Sequence, residues 1–220
     1  MKETKSQKSP LPSLYFDILK LKPKTSDVRQ VKILQAVISI LARDGVDELT
    51  FERIGKKTGM ARSHVVYYFK DREELIESAM KFVALTAQEI IVEKLKDGSG
   101  DWKDILRHYI ESNFDWISEN PDHAAIFYLM YYRAAVKPRY RKLHLEFRTA
   151  GAKRIEAFLR LSPLNEKLVA PMSRAIQGMI TGALIDATTT VGDRSRIIER
   201  KKETIELICE WVDRRSREGA

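Results

Sequence analysis

Arg62, Ser63, His64 and Tyr67 fall within six residues, and Tyr68, Lys70 and Arg72 follow directly. Every one of these side chains is a hydrogen-bond donor or can act as one. An arginine bridges O6 and N7 of guanine, and shorter polar groups reach other base edges in a major groove. Tyr68, Lys70 and Arg72 are spaced to meet phosphate oxygens beside that groove. Thr50, just ahead of the cluster, completes the candidate DNA contacts. The chemistry these residue types suit is polyanion recognition, with Arg62, Ser63, His64 and Tyr67 reading bases and the rest gripping backbone.

No comparable case exists for catalysis. The chain contains no GxSxG, P-loop, HExxH or GxGxxG after a strand. His64, His108, His123 and His144 are scattered, and the single cysteine, Cys209, excludes a multi-cysteine metal site and any intrachain disulfide. Cys209 sits in an apolar helical pattern with Ile205, Ile208 and Val212, so it reads as a buried structural thiol. No metal and no cofactor is expected. The cysteine usage suits a reducing cytoplasm. No apolar run approaches the roughly 20 residues that span a bilayer, and the N-terminus has no signal-peptide pattern, so no membrane partner is expected.

The elements that must position the donor cluster read almost wholly as helix. Thr25 or Ser26 caps a first helix with apolar Val28, Val31, Ile33, Leu34, Val37, Ile40 and Leu41, stopped at Gly45. Thr50 caps a short helix, FERIGKKT, ended by Gly59, and a third helix follows over about 61–68. Two short helices across a tight turn near 57–61 let one lie over the DNA backbone while the other enters the groove. Ile54 and Val65 are spaced to meet across the turn, with Phe51 and Phe69 closing the small core. Asp71 and Glu74 form an acidic capping box for a fourth helix to about 95, whose free N–H groups could meet a phosphate. KDGSGD breaks the chain at 96–101. Helices are then expected at about 102–118, 121–135, 139–160, 164–190 and 195–217, with Pro171 kinking or splitting the penultimate one.

The ordered anchors Gly45, Thr50, Ile54, Gly59, Tyr68, Phe69, Lys70, Asp71, Arg72, Glu73, Glu74 and Leu75 resemble the TetR family of repressors over about residues 28–75. Beyond that segment only helix number and length agree. The family usually places Tyr where this chain has Val66 and Lys where it has Arg72. Some members concerned with choline and betaine carry a small residue at the first of these places. The resemblance implies an all-α homodimer: a three-helix DNA-binding domain (26–75) behind a basic extension (1–25), then a helical ligand-binding and dimerisation domain (76–220). It further implies a cytoplasmic repressor that binds double-stranded operator DNA and is released by a small molecule.

Charge agrees with this division. Residues 1–70 hold 14 Lys and Arg against 7 Asp and Glu, a net of +7 within a total of +8; the rest hold 25 against 24. A basic module on a neutral body is the footprint of a polyanion binder, although a membrane surface would attract the same asymmetry. In the body, aromatic residues crowd 102–135. Most serve as core, but His108, Phe114, Phe127, Tyr131 and Gln177 are candidates for a sensor pocket. Ile180, Ala183 and Leu184 of the penultimate helix, with Ile205, Ile208 and Trp211 of the last, are candidates for an isologous dimer interface. An enzyme and a helical adaptor that touches no DNA are the competing classes.

Overall fold

The computed structural model describes residues 28–95, 101–189 and 194–218, and every regular element among them is an α-helix. The order is α1 (Val28–Arg43), α2 (Phe51–Thr58), α3 (Arg62–Tyr68), α4 (Arg72–Leu95), α5 (Trp102–Glu119), α6 (Pro121–Val136), α7 (Pro138–Leu159), α8 (Glu166–Thr189) and α9 (Arg194–Glu218). The expected extension 1–25, the cap at Thr25 or Ser26, and the break at 96–100 lie outside the described residues.

Local signals explain most boundaries. Gly45 takes φ +88 after α1 and Gly59 takes φ +69 after α2, a left-handed geometry that costs a side-chain-bearing residue and not glycine. Thr50 Oγ1 accepts from the Arg53 N–H at 3.1 Å, which satisfies one of the orphan donors of α2. Asp71 Oδ1 accepts from the Glu74 N–H at 2.7 Å as the acidic box predicts, while Glu74 Oε2 reaches back to the Lys70 N–H at 2.7 Å. Asp101 caps α5 through the N–H groups of Lys103 and Asp104. Pro121 and Pro138 open α6 and α7 in the first turn, where no amide proton is needed. α8 continues through Pro171 without splitting; the proline lies near its start and faces outward.

α1 buries Ile33, Leu34, Val37, Ile40 and Leu41, whereas Val28, at its first residue, stays exposed. Ile54 and Val65 are both fully buried, and Phe69 closes beneath them with Phe51 packed alongside. Truncating Ile54 to alanine is expected to cost about 2–5 kcal/mol. α4 runs unbroken through residue 75 and packs on α1, α5 and α6, so the three-helix head is joined to the body by a rigid rod. α5 supplies the innermost layer, with Leu106, Ile110 and Phe114 fully buried among the surrounding helices. α8 is long and apolar enough to cross a membrane by length and composition alone. Its Val169, Met172, Ile176, Ile180 and Leu184 are nevertheless core residues packed with α7 and α9.

Candidate functional site

α3 is a helix with almost no packing duty. Among its residues only Val65 is buried; Arg62, Ser63, His64, Val66 and Tyr67 are exposed, Tyr67 to 82%. Tyr68 is half-buried and meets Tyr67 edge-on at 5.2 Å. Five neighbouring side chains thus face solvent from a helix pinned by one valine. Arg62 Nε lies 2.5 Å from Glu52 Oε1 of α2, with both side chains mostly exposed. Such a pair is worth little, about 0–1 kcal/mol, and can be exchanged for a base or phosphate contact.

The turn beneath α3 is tight for a reason that spacing did not reveal. A Cβ on Gly55 would stand 2.7 Å from the carbonyl oxygen of Met60, so only glycine lets the turn fold back on α2. The Met60 N–H donates to the Gly55 carbonyl at 3.0 Å across the same turn. Arg53 braces α2 from the other side through Asp44, at 2.6 Å, and Glu48. Two expected phosphate contacts are placed differently. Arg72 turns inward to donate to the Val46 carbonyl and faces Asp47 at 3.5 Å, because it begins α4 directly beside the α1–α2 connection. The start of α4 carries Glu73 and Glu74 and has the Glu74 N–H committed to Asp71, which disfavours an anion there. Lys70 remains exposed at the edge of α3.

Behind the head, a polar clasp ties α4 to the corner between α6 and α7. Glu73 accepts from Lys137 Nζ at 2.8 Å and from the Tyr140 hydroxyl at 2.5 Å, and Arg133 Nη1 stands 3.4 Å away. Burial alone would raise the Glu73 carboxyl; the Lys137 and Tyr140 hydrogen bonds and the charges of Arg133 and Lys137 outweigh it and hold the group down at about 2. Burial and the Glu73 charge push the Tyr140 phenol up. Glu77 pairs with Arg139 at 2.9 Å one turn later, and Arg43 of α1 pairs with Asp122 of α6 at 3.1 Å.

An interior cavity of about 40 Å³ lies among α4, α5, α6, α7 and α8. Phe127, Tyr131 and Gln177 line it as expected, together with Trp116, Phe147 and Gln88 among others. His108 is not brought there: it is exposed on α5 and bonds to the Asp104 carbonyl. Phe114 is fully buried elsewhere in the core. The α4 wall, Val83 to Ile91, had no marker in sequence beyond ordinary core periodicity. Gly151 is the other unforeseen residue; a Cβ there would collide with the Gln177 amide.

Four of the six expected dimer contacts are core residues of the chain itself. Ile180, Leu184, Ile205 and Ile208 point into their own subunit, and Ile180 and Leu184 also line the cavity, because the apolar stripe of each helix is spent on the core. Ala183 and Trp211 are half-buried. The outward face of α8 carries Ala175, Gly178 and Gly182 instead, and a Cβ at either glycine would meet nothing. On α9 the exposed apolar residues are Ile198 and Leu207. Cys209 is a free, half-buried thiol pushed up by burial, which suits a structural role. Among the described residues no group of three metal-binding side chains occurs.

Residues 33–79 match the family described as bacterial regulatory proteins, tetR family. The HTH-type transcriptional regulator BetI of Stenotrophomonas maltophilia is 28% identical over 88 residues, 40% of this chain and 45% of that protein. A BetI of Yersinia pestis is 26% identical over 89 residues, again 40% of this chain and 45% of the relative. The match thus spans less than half the length of these relatives. Among solved structures, a transcriptional regulator of Pseudomonas aeruginosa PAO1 superposes with a TM-score of 0.72 at 12% identity, covering 91% of this chain and 94% of that one. A regulator of Saccharomonospora viridis, solved in complex with choline, has a TM-score of 0.71 at 16% identity, covering 82% and 95%. These similarities extend the fold over the helical body.

Proposed function

We propose that the chain, whose residues 33–79 match the tetR family of bacterial regulatory proteins, belongs to that family and is a cytoplasmic DNA-binding transcriptional regulator, a homodimeric repressor that a small molecule releases from its operator. The observation that carries this reading is the free face of α3. Arg62, Ser63, His64 and Tyr67 stand exposed on a helix fixed from behind by Val65, Gly55 and the Thr50 cap. That is the arrangement a recognition helix needs: rigid backbone and unused donors. Thr50, Tyr68 and Lys70 flank it as backbone contacts, while Arg72 takes the task of holding α4 to the head.

Release has a physical route. α4 begins at the reading head and ends as one wall of the cavity, and α6 both packs on α1 and supplies Phe127 and Tyr131 to the cavity. A ligand that widens the cavity bears on both helices. Two reading heads must stand about 34–36 Å apart to enter successive major grooves, so a small swing of α4 is enough to lose register. The ligand achieves this only through its difference in affinity between the two states, and operator DNA must weaken ligand binding by the same factor. Dimerisation is assigned to the outward faces of α8 and α9, where Ala175, Gly178 and Gly182 permit close approach and Ile198 and Leu207 offer apolar cover.

A gel shift against DNA from the chain's own upstream region, repeated across salt concentrations, is the test. The log of the affinity should fall with the log of salt by about 0.9 per neutralised phosphate. Binding that ignores salt, or no binding at all, defeats the proposal.

A further inference from the structure

We propose that the interior cavity takes a small apolar carboxylate, an aromatic or branched aliphatic acid, with its carboxylate toward Gln88 and the Arg154 guanidinium behind it. This rests on the reading of the cavity as the effector site and names the chemistry of its occupant. The walls are rings and aliphatic side chains: Tyr109, Trp116, Phe127, Tyr131, Phe147 and the apolar residues of α4. Rings of this kind serve a quaternary cation as readily as an aromatic acid, so the polar groups decide.

Those groups favour an acceptor. No carboxylate occurs among the described residues lining the cavity. Arg154, only 4% exposed, donates Nη1 to Gln88 Oε1, and Gln88 lines the cavity. With its oxygen turned to the guanidinium, the Gln88 amide keeps its N–H donors for the other side. The Arg154 charge is also felt at the lining phenol of Tyr109, which it lowers against the stronger effect of burial. Arg148 stands 3.5 Å from the Thr181 hydroxyl, so a second guanidinium flanks the same space. The Trp116 indole N–H is buried in the wall, in a residue 3% exposed, and has no hydrogen-bond partner. A buried donor without an acceptor is costly, and it adds a further donor to a lining that holds no carboxylate. A quaternary ammonium has no lone pair for either donor and meets two positive charges.

A cavity of about 40 Å³ has room for a few waters and not for an aromatic acid. The occupant must push the walls apart, and the walls include the rod that carries the reading head. Discrimination by head group and displacement of α4 are therefore parts of one event.

The test is calorimetric titration of the full chain with three probes sharing one ring: phenylacetate, phenylacetamide and benzyltrimethylammonium. Phenylacetate is expected to bind about tenfold or more tightly than the amide, the margin of a charge-assisted hydrogen bond, and the ammonium is expected to give no heat. Arg154→Met should abolish the preference for acid over amide. Arg154→Lys keeps the charge and should retain the preference, which covers the case in which the methionine variant does not fold. Equal affinity for acid and amide, tighter binding of the ammonium, or no binding of any probe at millimolar concentration overturns the proposal. A gel shift made without probes reports on DNA binding separately, so failure of the ligand class and failure of the regulator reading are distinguishable.

Discussion

Replacing Glu73 by glutamine changes one charge at the junction of the three-helix head and the body and leaves the shape almost untouched. In the native protein the carboxylate serves Lys137, Tyr140 and Arg133 at once. Its pKa falls from the ordinary 4.5 to about 2 in the folded chain. Taken whole, that shift corresponds to about 3.4 kcal/mol. The side chain is 33% exposed, so solvent screening reduces the figure to roughly half. Arg133, nearly buried, then loses its charged partner and keeps the face of the Tyr140 ring at 5.7 Å, which adds to the cost. The expected loss is about 2 kcal/mol at pH 7, read from urea denaturation. The pH dependence follows with a definite sign. A depressed folded pKa stabilises above the unfolded value and loses that stabilisation as pH falls toward the folded value. Between pH 7 and pH 4 the wild type should lose about 0.8 kcal/mol that Glu73→Gln does not, since the unfolded carboxyl already takes up protons there while the folded one does not. Equal pH slopes in the two proteins, or a loss below about 0.5 kcal/mol at pH 7, would refute the clasp as a source of stability.

Other perturbations bear on the interface and the assembly. Glu52→Ala frees Arg62 and removes a negative charge beside the reading face, so DNA affinity should rise a few-fold in a gel shift; a fall would mean that Glu52 orients Arg62 productively. Arg62→Ala should cost about 1–3 kcal/mol on operator DNA and far less on random DNA, whereas Lys70→Ala should weaken both alike and reduce the salt slope by about 1. Equal losses on both DNAs would reassign Arg62 to the backbone. Gly182→Arg, placed on the open outward face of α8, should give a folded monomer by light scattering and circular dichroism. A dimer of wild-type stability would move the interface elsewhere.

The sequence by itself determined the helical class, the turn chemistry and the packing of the three short N-terminal helices. Gly45, Thr50, Gly59 and the Asp71–Glu74 pair act within about four residues of themselves, through caps and left-handed turns that need no distant partner. Ile54 and Val65 were legible for the same reason, since a short turn leaves them few neighbours but each other. Gly55 escaped because its constraint is a carbonyl approaching across the turn, which spacing does not encode. Which face of α8 and α9 is core and which is free was a tertiary decision. Ile180 and Leu184 looked suited to a partner, yet the demand for a buried stripe against α5 and α7 took them, leaving glycines outward. Arg72 was drawn from phosphate to the Val46 carbonyl by the position of the α1–α2 connection. The cavity likewise belongs to tertiary structure alone. It gathers side chains from five helices, from Val83 to Leu184, and a void and its charge balance exist only once those helices have packed.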